Sequence, residues 1–135
     1  MVEQATVRPG DWLAVHGCGG VGLSAVMIAA SMGVNVIAVD IDDATLAMAS
    51  GIGAVATINA AHSSDVPDEI IHLTGGGAHA SMDALGSNVT CRNSILCLRA
   101  VRRHVQVVLM KDRHENPEIL IGVVVPREID IRGLR

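Results

Sequence analysis

Glycines at positions 17, 19 and 22 constrain this chain more than any other feature. Trp12-Leu13-Ala14-Val15-His16 is an apolar run of strand character, and Leu23-Ser24-Ala25-Val26 begins a helix of small residues. Between them Gly17-Cys18-Gly19-Gly20-Val21-Gly22 follows the G-x-G-x-x-G pattern. The first glycine permits a tight strand-to-helix turn, the second lets the backbone approach a pyrophosphate, and the third lets the helix pack hard on the strand. An anion seated there meets unpaired N–H groups and the positive end of the helix. A chain with 14 glycines can match such a pattern by chance, so its surroundings decide its weight. A second apolar run, Val34 to Val39, follows one helix later and ends at Asp40. That acid lies 18 residues beyond Gly22, where a ribose-binding carboxylate is expected. The plainer alternative is a glycine-rich turn followed by an Asp that only caps a helix.

A carboxylate at that place accepts hydrogen bonds from the ribose hydroxyls and repels the 2′-phosphate of NADP, which calls for a cation. Residues 41 to 43 are Ile, Asp and Asp, with no Arg or Lys beside them. The expected cofactor is therefore NAD.

The length of 135 residues suits one domain, 1–135, with a real core. Half of the residues are apolar, yet Trp12 is the only aromatic, so that core must be aliphatic. The formal charge of −4 and the lack of a basic run argue against a nucleic-acid partner. Arg99, Arg102, Arg103 and His104 cluster, and a solvated face at a strand entry accounts for them. Cys18, Cys91 and Cys97 are odd in number and form no C-x-x-C pair, which disfavours a disulfide framework or a cysteine zinc site. Reduced thiols suit the cytoplasm. No signal peptide opens the chain, and no apolar run reaches ~18 residues, so no membrane span is expected.

Strands are predicted at 12–16, 34–39, 54–58, 78–84, 104–110 and 128–132. Helices are predicted at 20–32, from Asp42 or Asp43 to 50, from an Asp65 cap to 73, at 89–100, and as a short piece within 118–125. Residues 1–7 read as a short mixed segment, and 111–117 as a polar loop. Strands that alternate with helices imply right-handed β-α-β units and a parallel sheet covered on both faces. The fold class is α/β: a Rossmann fold, with a doubly wound six-stranded parallel sheet in the order 3-2-1-4-5-6.

Gly17-Cys18-Gly19-Gly20-Val21-Gly22-Leu23-Ser24-Ala25-Val26, Val36-Ile37-Ala38-Val39-Asp40-Ile41, Asp83-Ala84-Leu85-Gly86 and Arg103-His104-Val105-Gln106-Val107 together resemble the zinc-dependent alcohol dehydrogenase family. This is the medium-chain dehydrogenase/reductase superfamily. The resemblance runs from about Val7 to the end and covers the cofactor-binding half only. It implies hydride transfer between an alcohol and NAD, with an alcohol or aldehyde as the small-molecule partner. It implies that Gly17, Gly19 and Gly22 form the turn, that Cys18, Gly20 and Val21 face the pyrophosphate, and that Asp40 holds the adenosine ribose. Val39 and Leu85 would wall the adenine pocket, and Gly133 and Leu134 would lie near the nicotinamide. The family's catalytic zinc ligands and structural-zinc cysteines are not found in these residues, so zinc is expected on a catalytic domain that this chain lacks. The boundaries resemble those of a cut-out domain. The chain alone is expected to be inactive, with no catalytic and no metal-binding residues of its own. The family also pairs its last strand across a two-fold axis, which, with the alternation of Glu128-Ile129-Asp130-Ile131-Arg132, implies a homodimer through 128–132. There are departures: Thr45 stands where the family often has Lys, and Arg102 and Val108 where it often has Gly.

Other residues draw plainer readings. Cys18 lies beside a helix N-terminus, where a thiol pKa can fall, but a small side chain filling the loop is the preferred reading. His16 and His104 are expected to pack at strand ends. His62, His72, His79 and His114 lack ligand spacing. Asp83 is expected to pack rather than to exchange protons, and Met27, Met32 and Met48 to fill the core. Two further functions compete: a non-catalytic NAD-binding regulatory module, and an S-adenosylmethionine methyltransferase. The second would usually carry an acid near the start of the loop and a final strand hairpin.

Overall fold

The apolar runs become strands buried on both sides, as a parallel sheet requires. A computed structural model describes residues 1–108 and 120–133. In chain order the elements are α1 (Val2–Ala5), β1 (Trp12–His16), α2 (Gly20–Ser31), β2 (Asn35–Asp40), α3 (Asp43–Gly51), β3 (Ala56–Asn59), α4 (Val66–Thr74), β4 (Ala78–Asp83), α5 (Asn88–Leu96), β5 (Leu98–Gln106), α6 (Ile121–Val124) and β6 (Asp130–Gly133). Every strand pair is parallel, and the six strands lie in the order β3-β2-β1-β4-β5-β6. The predicted Rossmann topology is the observed one.

Alternate side chains of each strand feed two cores. Leu13, Val15, Val36, Ala38, Ala80, Met82 and Val105 face the layer that contains α1, α2 and α3. Ala14, Ile37, Val39 and Ile58 face α4 and α5. The buried positions of α2 are Gly22, Ala25, Val26 and Ala29, spaced as one helical face and small enough for close approach to the sheet. Apart from Ser24 and Ser31, the rest of α2 has no polar side chain. Met27 and Met32 are exposed there, as is Met48 on α3, contrary to the expectation that they fill the core.

The helices are closed by their own side chains. Asp42 accepts from the Thr45 amide at the start of α3, and Asp65 from the Asp68 amide at the start of α4. Ser87 and Thr90 form a reciprocal capping box at α5. Gly75, with φ of +70°, ends α4 in the left-handed conformation that glycine allows.

The main departure from expectation lies between α5 and β5. The helix stops at Leu96 rather than at 100, and the chain pairs with β4 from Leu98 rather than from 104. Arg99 explains the early stop: its Nε donates to the Gly77 carbonyl (2.7 Å) and its Nη2 to the Thr74 carbonyl (3.2 Å), closing the end of α4. Three of the four clustered basic groups are therefore not a solvated face, because Arg99 is spent on α4, Arg103 is held by Asp130 and the Gln4 carbonyl, and His104 is only 1% exposed. β3 begins at Ala56, two residues late, and β6 at Asp130. Met110, the 111–117 loop with His114, residues 118 and 119, and Leu134 lie outside the described residues.

Val101 stands in the irregular start of β5 with φ of +59°, while its amide donates to the Arg127 carbonyl at 2.8 Å. A β-branched side chain in the left-handed region is strained, and Val101 is exposed enough that burial does not repay it. Val101→Gly is expected to raise stability by about 1 kcal/mol; urea denaturation of the two chains checks this, and a less stable variant would refute it.

Candidate functional site

The backbone is packed closely at the turn after β1. A Cβ added at Gly22 would lie 1.9 Å from the carbonyl oxygen of Gly17, so glycine alone fits there without moving backbone. Gly17 has φ of +90°, and a Cβ on it would meet the Leu85 Cβ at 2.9 Å. Its amide donates to the Val39 carbonyl at 2.8 Å. The turn thus touches β2 on one side and the β4–α5 turn on the other.

Gly19 and Gly20 differ, because a Cβ at either would meet nothing within 4 Å. Gly19 is the N-cap of α2 and supplies no side-chain cap, and no acidic residue lies in the first turn. Every other described helix of nine or more residues has such a cap. The leading N–H groups of α2 and its positive end therefore face open space beside a loop with few side chains. Val21 in that first turn is 45% exposed. The arrangement suits a bound anion.

Asp40 ends β2 next to this turn. Its Oδ2 accepts from the Cys18 amide (2.8 Å), and its Oδ1 from the amides of Ile41 (2.7 Å) and Asp42 (3.1 Å). Three backbone donors fix the carboxylate between the loop and α3. Thr45 is committed elsewhere: its hydroxyl donates to Asp42 Oδ2 at 2.6 Å. Cys18 is wholly buried, and its thiol is pushed up to about 12 by burial and by the Asp40 charge, against a smaller opposing effect of the Val39 carbonyl. A lowered thiol pKa is excluded here; the side chain fills the space beneath the loop. Val39 is buried against Ile37 and Ile58, whereas Leu85 is 39% exposed at the rim. The loop residues Gly17 to Gly22, Val39, Asp40 and Leu85 are thus brought together at the C-terminal ends of β1, β2 and β4. Such ends form the binding crevice of open α/β sheets.

One feature at these strand ends escaped the sequence reading as a unit. His16, Ser81, Asp83 and His104 are all buried, and Ser94 of α5 is buried over them. Ser81 and Asp83, and likewise His104 and Gln106, are two apart in their strands and so share a face. That two-residue spacing of polar side chains near the strand ends was the available signal. His16 Nε2 lies 3.0 Å from Ser81 Oγ, while its Nδ1 is buried without a partner among the described residues. Burial drives the His16 pKa down to about 4, with the Asp83 carboxylate opposing and His104 assisting. Burial lowers that of His104 as well, against a raising effect of its Gln106 hydrogen bond.

Comparison with known proteins gives this geometry a setting. Residues 20–135 match the zinc-binding dehydrogenase family. The chain belongs to that family. Among curated relatives, an alcohol dehydrogenase of Moraxella sp. (strain TAE123) is 43% identical over 81 residues, which are 60% of this chain and 23% of that protein. An alcohol dehydrogenase of Geobacillus stearothermophilus is 43% identical over 75 residues, 56% of this chain and 22% of the relative. Among solved structures, an alcohol dehydrogenase zinc-binding domain protein from Burkholderia ambifaria superposes with a TM-score of 0.92 at 32% identity, covering 98% of this chain and 36% of that one. The 2R,3R-butanediol dehydrogenase of Bacillus subtilis gives 0.91 at 26% identity over 99% of this chain and 38% of its own. This zinc-binding dehydrogenase chain thus spans about a quarter of the length of the curated relatives it matches. Among its described residues no three His, Cys, Asp or Glu side chains are grouped to hold a metal ion, so they do not fit the family's zinc. No described helix is long and apolar enough to cross a membrane.

The buried histidines set a pH dependence. The folded His16 pKa lies below its unfolded value, so the unfolded chain binds more protons between about pH 6.5 and 4. The stability from burying it neutral is complete above that window and lost as pH falls through it. The shift corresponds to a loss on the order of 3 kcal/mol. Urea denaturation between pH 7.5 and 4.5 is expected to show this fall, and His16→Phe to reduce it. An equally steep fall in the variant would refute the assignment.

Proposed function

We propose that residues 1–135 form the NAD-binding domain of an alcohol dehydrogenase. One observation carries the reading: an uncapped α2 opens beside Asp40, whose carboxylate is tied to the loop amide of Cys18. In this reading the pyrophosphate lies over Gly19, Gly20 and Val21 at the start of α2. Gly17 and Gly22 keep the backbone close enough for this, and Cys18 supports the loop from below. Asp40 accepts from the adenosine ribose at the Oδ2 lone pair that its three amide donors leave free. Val39 and Leu85 wall the adenine. With Ile41, Asp42 and Asp43 following, no cation is at hand for a 2′-phosphate, which favours NAD over NADP.

NAD held there would supply the acceptor for a hydride from an alcohol carbon, and the residues of this chain would bind and orient it. Zinc, which the family uses to polarise the alkoxide, finds no donor set among the described residues and enters no step here. The catalytic zinc domain would lie outside this chain, and the chain by itself would be inactive. The alcohol or aldehyde is not specified by any residue discussed. A non-catalytic NAD-binding regulatory module uses the same site and stands as the alternative; the alcohol dehydrogenase relatives favour the first reading.

We also propose a homodimer. β6 is the last strand in the sheet order, with Ile131 43% exposed, and an unpaired edge invites another strand. Light scattering at micromolar concentration is expected to give twice the chain mass; a monomer would contradict it.

Calorimetric titration tests the cofactor. NADH is expected to bind at least tenfold more tightly than NADPH, and Asp40→Ala to weaken NADH by at least tenfold, about 1.4 kcal/mol. Equal or tighter binding of NADPH would overturn the role of Asp40. Alcohol oxidation by the same sample would overturn the expected inactivity of the chain alone.

A further inference from the structure

The polar row beneath the cleft is continuous. Ser81 Oγ, 3.0 Å from His16 Nε2, lies 2.7 Å from Ser94 Oγ, and Ser94 Oγ lies 2.7 Å from His104 Nδ1. His104 Nε2 is 3.0 Å from Gln106 Oε1, and Gln106 Nε2 donates to Asp83 Oδ2 at 2.8 Å and to the Val108 carbonyl at 2.9 Å. Asp83 Oδ1 accepts from the amides of Leu85 (3.0 Å) and Gly86 (2.9 Å). The carboxylate and the Val108 carbonyl can only accept, which fixes the Gln106 amide with its NH2 toward them and its oxygen toward His104. His104 then donates from Nε2 to Gln106, while Ser94 Oγ donates to Ser81 Oγ.

The ends of this chain of bonds matter. His16 immediately precedes Gly17, and Asp83 holds the turn that carries Leu85. These two turns already touch, because a Cβ at Gly17 would collide with Leu85 and the Ala84 amide donates to the His16 carbonyl at 2.8 Å. Leu85 and Gly86 are held to Asp83 by a carboxylate that Gln106 orients from the other side. A core of apolar residues would fill the same volume without fixing that carboxylate.

We propose that Ser94 and Gln106 are positioning residues: through the buried row Ser81–Ser94–His104–Gln106 they fix Asp83, which holds the turn Ala84–Gly86 against the Gly17 turn and so sets nucleotide affinity. In the NAD reading above, neither residue is among those that hold the nucleotide. The affinity part rests on the NAD reading above.

The test uses the whole chain, with Gln106→Met and Ser94→Ala as variants. Amide hydrogen exchange is read at Leu85 and Gly86 and, as internal controls, at Val15 and Ile37; NADH is then titrated into each protein. In Gln106→Met the exchange at Leu85 and Gly86 is expected to accelerate at least tenfold while the two control amides hold. The NADH dissociation constant is expected to rise at least threefold. Ser94→Ala deletes one buried hydroxyl and opens little space; it carries the same expectations in smaller degree and serves if Gln106→Met does not fold. Equal acceleration at all four amides would mean general destabilisation and would overturn the inference. So would a loosened turn with unchanged NADH affinity. The exchange measurement needs no ligand, so a wild-type chain that did not bind NADH would remove the nucleotide reading while the hold on the turn was still decided.

Discussion

The carbonyl oxygen of Gly17 occupies the place where any side chain at position 22 would begin. That contact brings the first turn of α2 down onto the end of β1, and the rest of the cleft is arranged around it. With α2 seated, the Gly17 amide reaches the Val39 carbonyl and the Cys18 amide reaches Asp40. Two strand ends and a helix start are thereby locked by two backbone contacts and one backbone-to-carboxylate hydrogen bond. A methyl group at 22 would have to displace backbone, which interiors packed like crystals do not accommodate cheaply.

The same economy explains why α2 is built unlike its neighbours. The longer helices α3, α4 and α5 spend a side chain on their leading amides, whereas α2 leaves them free beside glycines. With glycine as its N-cap, α2 is weaker by roughly a few tenths of a kcal/mol than with a capping side chain. The small residues Gly22, Ala25, Val26 and Ala29 offset this by close packing on the sheet. Beneath the cleft the opposite choice is made, with buried polar groups that must be satisfied to be tolerated.

Much of this was legible in the sequence because it depends on local chemistry. The turn at Gly17–Gly22, the acid at 40, the caps at Asp42 and Asp65 and the strand order all follow from residue type and spacing. The end of α5 was not legible, since it depends on Arg99 reaching carbonyls of a helix more than twenty residues earlier. Nor was the exposure of Met27 and Met32, because α2 is apolar around most of its circumference and periodicity does not select its inner face. The polar row was visible residue by residue, as His16, Asp83 and His104, but its assembly needed the parallel register that sets β1, β4 and β5 side by side.

Trp12, the single aromatic residue, opens β1, with its amide donating to His79 Nδ1 at 2.9 Å. The cleft lies at the other end of the same strand, roughly 15 Å away at the rise of an extended chain. Intrinsic fluorescence of these 135 residues therefore comes from one known place, with no tyrosine beneath it. It reports the integrity of the sheet's lower edge and is remote from events at the glycine turn. Emission from a nicotinamide at the cleft and emission from Trp12 would be two separate optical windows onto opposite ends of one strand.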